Sequence, residues 1–573
     1  MVRRLLIANR GEIAVRLIQG CRELGIGSVV ACTESELRSM AAELADVVVP
    51  VASYLDPSEL VTAGLNAGAD AIHPGYGFLS EDPRLAEAAI AAGMTWVGPP
   101  PEAMRALGDK EQARRLAEQA GVAVVPGATG DDETLIAAAR ELGTPLLVKA
   151  AAGGGGRGMR AVDDLANLPA AIADAHLEAA ATFGDDRVFL ERRLADARHV
   201  EVQILADAHG GVIHLGERDC SLQRRHQKVV EESPSPAASA DLRERLGAAA
   251  AAIAGTAGYV GAGTVEFLLL PNGEFRFLEM NARLQVEHPV TEAVTGVDLV
   301  HAQLAIADGE RVPSRTDVTL RGHAIQARIY AEDPANGFMP AGGRVERLVL
   351  PRWPGVRIDT ALRQGDVITF DFDPLLAKVI AFDEDRSACL NRLRAALGAA
   401  EIVGVATNLG FLLETLAHVD VVEGRVDTDW IERTWSGRAP TLPDGVRGTD
   451  AAGRDPWHAF APKPSPSHEV VVAGGWAQYR GWGYRLTEDE LEVVSLPPPG
   501  GSLIAPMPSS VLRVHVAEGD RVAVGDAMVV LEAMKMQTSL RTTAAGTVTA
   551  VFVREGDSVA AGQVLVQIEE GVT

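Results

Sequence analysis

The chain has 573 residues, 47% of them hydrophobic and 23% charged, with a formal net charge of -25. That length suggests about four domains with ordinary hydrophobic cores, and the negative balance argues against a phosphate backbone or an anionic membrane surface as a partner. Cys21, Cys32, Cys220 and Cys389 show no paired spacing, which argues against a disulfide framework and a structural zinc site; with no signal-peptide core and no apolar run of membrane length, a cytoplasmic location is expected.

Residues 3 to 8 (RRLLIA) read as a buried strand, Asn9-Arg10-Gly11 as a turn, Glu12 to Leu24 as a helix and Gly27 to Cys32 as a second strand. This βαβ opening lacks G-x-G-x-x-G, so a Rossmann-like layer without a dinucleotide site is expected over residues 1–110. The loop His73-Pro74-Gly75-Tyr76-Gly77-Phe78-Leu79-Ser80 follows another short strand and either closes the sheet or takes part in chemistry.

From about residue 111 a helix leads to a strand at Leu146 to Lys149 and then to a loop containing Gly153, Gly154, Gly155, Gly156 and Arg157. Such glycines let backbone N–H groups approach phosphate oxygens. A flexible linker has the same composition, so the context decides. Lys110 and Lys149 can converge on the phosphates of one nucleotide. Glu266, on a strand at Thr264 to Leu269, Glu279, on a strand at Glu274 to Met280, and Asn281 supply hard oxygen ligands suited to Mg²⁺ or Mn²⁺. The second domain is placed at 111–319. A third, at 320–434, reads as strands and a final helical pair.

Residues 436–467 are rich in Pro, Gly, Ala and Asp and read as a semi-stiff linker. Residues 468–496 carry Trp476, Tyr479, Trp482 and Tyr484 in a chain only 5% aromatic. Two readings stand for this segment, which with the linker spans 435–500: a small β module with an aromatic core, or a docking surface for another subunit. Residues 511–532 then realign on 548–569 with a constant offset of 37, Glu518-Gly519-Asp520 onto Glu555-Gly556-Asp557. This repeat predicts a small two-fold β domain at 501–571. Lys535, in Ala533-Met534-Lys535-Met536, falls at the bend between the halves, flanked by methionines that core packing would not ask for.

That tetrad, with Ala505-Pro506-Met507, resembles the biotinyl domain of biotin-dependent carboxylases; lipoyl domains share the fold but usually lack the methionines. Residues 1–434 resemble biotin carboxylases with an ATP-grasp domain, through Ile7 to Ala14 (IANRGEIA), Ile72 to Glu81 (IHPGYGFLSE), Glu217 to Glu232 (ERDCSLQRRHQKVVEE) and Glu279 to Glu292 (EMNARLQVEHPVTE). The resemblance implies a multidomain α/β and α+β chain: a Rossmann-like N-terminal domain, an ATP-grasp domain, a biotin carboxylase C-terminal lobe and an all-β biotinyl (hammerhead) domain. The whole is similar to the α subunit of a biotin-dependent acyl-CoA carboxylase.

The resemblance implies covalent biotin on Lys535, ATP and Mg²⁺ as cofactors, and nucleotide contacts from Lys110, Lys149 and the glycine loop. It implies that Glu191 reads the adenine amino group and that His199, Gln223 and His226 contact ribose or phosphates. Glu266, Glu279 and Asn281 hold the metal. Bicarbonate is received by Lys228, by the Arg283 guanidinium fork, by Gln285 and by the Val286 N–H. Glu287 removes its remaining proton as general base. Carboxyphosphate then decomposes to CO₂ and phosphate, and Arg328 stabilises the developing enolate oxygen of biotin.

Cys220 is rejected as a nucleophile, since no acyl transfer is involved. Ala152 stands where the family commonly has a first of five glycines, which costs roughly 1 to 2 kcal/mol if φ is positive there. Ala282 stands where related enzymes carry threonine.

Nothing in the chain remains to bind an acyl-CoA, so a separate carboxyltransferase β subunit is expected, together with a biotin protein ligase and self-association through the biotin carboxylase domain. A pyruvate carboxylase subunit and a lipoyl-type carrier with a silent ATP site are the alternatives.

Overall fold

The computed structural model describes residues 1–152, 159–314, 318–442, 470–486, 502–506, 508–533, 536–542, 544–560 and 562–570. The chain opens with the strand Arg4–Ile7, the helix Gly11–Leu24 and the strand Gly27–Cys32. The helix buries Ile13, Ala14, Leu17, Ile18 and Cys21 along one face and ends at Gly25, whose φ of 70° suits a residue without Cβ. Five parallel strands follow the order Val47–Pro50, Gly27–Cys32, Arg4–Ile7, Ala71–His73, Thr95–Trp96. The order reverses beside Arg4–Ile7, and there Asn9 Nδ2 donates to the carbonyls of Pro74 and Tyr76, at 2.7 and 2.8 Å. The Gly-Pro loop therefore closes the sheet. Gly75 has φ 64°, and a Cβ there would come within 3.0 Å of Asn9 Nδ2.

A second, four-stranded sheet runs Gly127–Ala128, Val188–Arg192, Leu146–Ala150, Met159–Val162 and is covered by the helices Asp132–Leu142 and Leu168–Phe183. Its core is a separate cluster centred on Leu146, Val148, Leu190 and Ile172. The loop with Gly154, Gly155 and Gly156 joins two of these strands and lies outside the described residues. Ala152 is not among the described residues in left-handed conformation, so no strain arises at that position.

The centre of the molecule is an antiparallel sheet of eight strands: Phe275–Asn281, Gly261–Leu269, Arg198–Ala206, Val212–Arg224, Gln227–Ser233, His323–Tyr330, Leu375–Asp383, Val356–Thr360. Val230 pairs with Ala327 and Glu232 with Ile325. One sheet thus runs across residue 320, where the sequence suggests a domain boundary, because backbone pairing follows register rather than chain segment. Beyond it, the helices Arg386–Ala399 and Leu409–Ala417 pack Leu393, Leu397, Phe411 and Leu412 into the core of the C-terminal lobe.

The aromatic segment forms a three-stranded sheet, Val471–Ala473, Trp476–Tyr479 and Trp482–Arg485. It docks on its own chain. Gln478 accepts from the Ile402 N–H and donates to the Ala400 carbonyl, both at 2.8 Å. Trp482 is 3% exposed, stacks on Trp435 with centroids 6.0 Å apart and donates to Glu414 at 3.2 Å. Gly410 lies under that ring, where a Cβ would meet it at 2.3 Å. Trp482 and Tyr479 are buried within this chain and form part of the core of this small β module.

The C-terminal domain holds two four-stranded sheets. The strands Ser509–Val514, Arg521–Val522 and Ala527–Ala533 recur 37 residues on as Gly546–Val551, Ser558–Val559 and Val564–Glu570. Each half lends its short strand to the other half's sheet, Arg521–Val522 pairing with Gly546–Val551 and Ser558–Val559 with Ser509–Val514. The two-fold extends to single bonds: Gly519 N–H donates to Val548 and Gly556 N–H to Val511, each at 2.8 Å. Ala533 and Met536 face each other as strand partners. Met534 and Lys535 lie outside the described residues, so the expected bend at Lys535 is not described.

Trp482→Ala removes the anchor of the three-stranded sheet, a loss of about 3–5 kcal/mol for a buried aromatic. Hydrogen exchange is expected to speed up at residues 471–485 while the strand Leu375–Asp383 stays protected. Unchanged protection at 471–485 contradicts this docking.

Candidate active site

Strand register builds the site. Arg218 is the cross-strand partner of Glu201, Glu201 of Glu266, and Glu266 of Glu279. Directly opposed residues share a face, so these four form one row across adjacent strands. Three carboxylates in a row repel one another unless cations intervene, and two do. Arg218, wholly buried, donates from Nε to Glu201 at 2.5 Å and from its other nitrogens to Gln203, Thr264 and Thr291 at 2.8–3.0 Å. Lys228 Nζ stands 2.5 Å from Glu201, 2.7 Å from Glu266 and 2.8 Å from Glu287. Burial opposes the Lys228 charge, but these carboxylates outweigh it and raise its pKa well above the ordinary value.

Glu287 is wholly buried between Lys228 and Arg328, whose terminal nitrogen lies 2.9 Å away. Burial disfavours its charge; Lys228, Arg328 and Arg218 outweigh burial and hold the carboxyl well below the usual range. Arg328 Nε also donates to Glu231 at 2.5 Å. Arg283 meets Glu81 at 3.1 Å, Gln285 Oε1 at 3.0 Å and Asn281 Oδ1 at 3.2 Å. Gln285 donates to Glu266 at 3.3 Å, and Val286 completes this turn before the helix His288–Thr295.

Among the described residues, Glu279 is the carboxylate in the row with no ion pair shown. Burial and Glu266 raise its pKa, against the pull of Lys110 and Lys149. Asn281 donates to Glu266 at 2.8 Å. Two opposed carboxylates with an amide beside them, one of them under-compensated, fit a hard divalent cation. Lys110 and Lys149 both pull on the Glu279 charge, and Lys149 also opposes the charge on Lys110.

The remaining predicted residues are distributed as follows. Glu191 is buried and paired with Lys149 and with Arg114, the latter at 2.6 Å. His199 stands 2.7 Å from Glu266; burial opposes its proton, but Glu266 prevails and its pKa is raised. Gln223 is buried as the cross-strand partner of Lys228. His226 sits at the tip of that hairpin, where Arg225 and His226 have φ of 46° and 67°. Two consecutive left-handed residues without glycine suit a two-residue turn and are uncommon in ordinary loops. Cys220 is buried, which drives its thiol pKa upward and agrees with its rejection as a nucleophile. Glu201 and Glu81 were not singled out from sequence. For Glu201 the available signal was the same-parity run His199, Glu201, Gln203 on a strand whose other residues after Arg198 are apolar.

Comparison with known proteins finds family matches over four stretches of the chain. Residues 1–104 match the family described as biotin carboxylase, N-terminal domain, and 109–315 the carbamoyl-phosphate synthase L chain, ATP binding domain. Residues 326–433 match the biotin carboxylase C-terminal domain, and 501–568 the family described as biotin-requiring enzyme. The methylcrotonoyl-CoA carboxylase subunit alpha of Oryza sativa subsp. japonica is 44% identical over 463 residues, 79% of this chain and 63% of that protein. The chain thus spans less than two thirds of that relative. The Dictyostelium discoideum protein of the same description is 34% identical over 96% of this chain and 93% of its own length. The solved biotin carboxylase domain dimer of Hydrogenobacter thermophilus 2-oxoglutarate carboxylase, in complex with MgADP, ADP and bicarbonate, has a TM-score of 0.74 at 40% identity, covering 76% of this chain and 98% of that one.

Because the folded state lowers the pKa values of Glu266 and Glu287, their stabilising contribution is complete above the ordinary value of 4.5 and is lost as pH falls toward the folded values. Glu287→Gln leaves two buried cations under-paired, at a cost of about 1–3 kcal/mol near neutral pH. In denaturant titrations the gap between wild type and variant is expected to narrow below pH 4.5; a gap independent of pH contradicts the pairing.

Proposed function

The chain belongs to the biotin-dependent carboxylase family, and from that premise we propose that it uses ATP and bicarbonate to carboxylate biotin carried on its own Lys535. The observation that carries this reading is the buried Lys228–Glu287–Arg328 chain beside the opposed carboxylates Glu266 and Glu279. Glu266, Glu279 and Asn281 would hold Mg²⁺, which supplies charge neutralisation at the phosphates of ATP. Lys110 and Lys149 bind those phosphates, and Glu191, His199, Gln223 and His226 complete the nucleotide pocket.

Bicarbonate, a planar anion, is received by the Arg283 fork, by Gln285 and by the Val286 N–H, with Lys228 supplying a further positive charge. Glu287 is ionised and able to accept the bicarbonate proton. As the bicarbonate oxygen bonds to the γ-phosphorus, the bond to ADP breaks and carboxyphosphate forms; its decomposition releases CO₂ and phosphate. When bound, biotin would supply a ureido nitrogen that gives its proton to the released phosphate and bonds to the CO₂. Arg328 is a fixed cation on the same side of Glu287, suited to binding a developing negative oxygen.

The acceptor is an acyl-CoA on a separate carboxyltransferase β subunit; similarity to two methylcrotonoyl-CoA carboxylase α subunits supports this over a pyruvate carboxylase subunit. A biotin protein ligase modifies Lys535, and the chain self-associates through its biotin carboxylase region, as the similar domain dimer suggests. A cytoplasmic setting belongs to the same proposal, supported by four buried, unpaired thiols; among the described residues no helix is long and apolar enough to cross a membrane.

Intact mass of the chain co-expressed with the ligase is expected to show one added biotin, absent in Lys535→Arg. Lipoate in its place supports the carrier alternative. In the loaded chain, Glu287→Gln and Arg328→Ala are each expected to lower ATP-dependent biotin carboxylation by about 10²-fold or more with the mass addition intact. Near-normal rates in both contradict these roles.

A further inference from the structure

A second row of charges crosses the far half of the central sheet: Asp359, Lys378 and Arg328 are successive cross-strand partners. Arg328 and Lys378 therefore project from neighbouring strands on one face, and both reach the turn that follows Arg283. Arg328 takes the Glu287 side chain, and Lys378 Nζ donates to the carbonyl of Val286 at 3.1 Å. A lysine that is wholly buried carries a large desolvation cost, so its partners indicate what it is held for. They come from three parts of the fold: Val286 from the turn, Asp359 at 3.5 Å from the C-terminal lobe, and Glu12 at 3.0 Å from the first turn of the N-terminal helix.

The surrounding charges pair with one another. Arg357 binds Asp359 at 2.7 Å and Glu292 at 2.6 Å, and Arg16 binds Glu292 at 3.0 Å and Asp298 at 2.6 Å. His288, one residue beyond Glu287, is wholly buried, and its Nδ1 contacts the Gln285 carbonyl at 2.7 Å. Tyr76, from the loop that closes the N-terminal sheet, places its ring 5.8 Å from the Lys378 ammonium. Without the lysine, Asp359 keeps Arg357, whereas Glu12 loses its ion pair and the Val286 carbonyl loses its donor.

We infer that Lys378 is a positioning residue for bicarbonate, locking the peptide between Val286 and Glu287 so that the Val286 N–H and the Glu287 carboxylate keep their pose. This rests on the bicarbonate site proposed above. Through Glu12 and Asp359 the same ammonium ties that pose to the packing of the N-terminal domain on the C-terminal lobe. Lys378 touches neither nucleotide nor metal candidates, so its loss is specific to one substrate.

The test uses the purified full chain with ATP, bicarbonate and free biotin. Lys378→Met leaves Glu12 unpaired in the core, so it is compared with the double variant Lys378→Met with Glu12→Gln, which removes that charge, and with Lys378→Arg, which keeps a cationic donor. The double variant is expected to recover thermal stability lost in the single one while KM for bicarbonate stays raised about tenfold or more, the scale of one lost charge-assisted hydrogen bond. KM for ATP is expected to stay near wild type, and Lys378→Arg to restore part of the bicarbonate KM. A folded variant with the wild-type bicarbonate KM overturns the inference, as does a parallel rise in both KM values. Wild-type ATP cleavage that ignores bicarbonate overturns the proposed site itself and the inference with it.

Discussion

Three glutamates stand side by side on adjacent strands, and the rest of the catalytic half depends on how their charge is met. Glu201, Glu266 and Glu279 are forced together by register, not by sequence proximity. Opposed like charges on a sheet are destabilising, and burial makes each worse. Arg218 and Lys228 neutralise one end of the row, leaving Glu279 at the other with a raised pKa. A protein selected for stability alone would place apolar residues here. Keeping the charges fits the proposed function, in which the cleft would receive a metal with nucleotide phosphates and then a small anion.

The same logic explains why the domains close around this sheet. Glu81 from the N-terminal domain holds Arg283 and also accepts from the Ala282 N–H at 3.2 Å. Glu12 from the same domain meets Lys378, and its carboxyl, buried and only partly offset by that lysine, is pushed up to about 7. The turn from Arg283 to Glu287 is thus held on one side by Glu81 and on the other by Lys378, which Glu12 holds in turn. The four-stranded sheet with Lys149 and Glu191 packs around its own core, and its Lys149 pulls on the charge of Glu279 in the row.

Local chemistry was readable in the chain where it is written locally. The opening βαβ elements agree with the structure to within a residue or two, because apolar runs and Gly25 delimit them. The 37-residue repeat carries over strand by strand. Glu201 was missed for a physical reason: its strand Arg198–Ala206 is buried almost throughout, so alternation no longer separates core from surface. Lys378 was missed likewise, since its partners lie on three separate segments. The aromatics near residue 480 were recognisable as anchors, but their target, the neighbourhood of Gly410, was not. Lys535 and the glycine loop rest on sequence alone.

The most direct measurement is phosphate release from ATP by the full chain as bicarbonate is titrated in the presence of free biotin. A site built on this carboxylate row and Lys228 predicts release that saturates with bicarbonate and requires a divalent cation. Cleavage that is absent, or that proceeds equally well without bicarbonate, contradicts it.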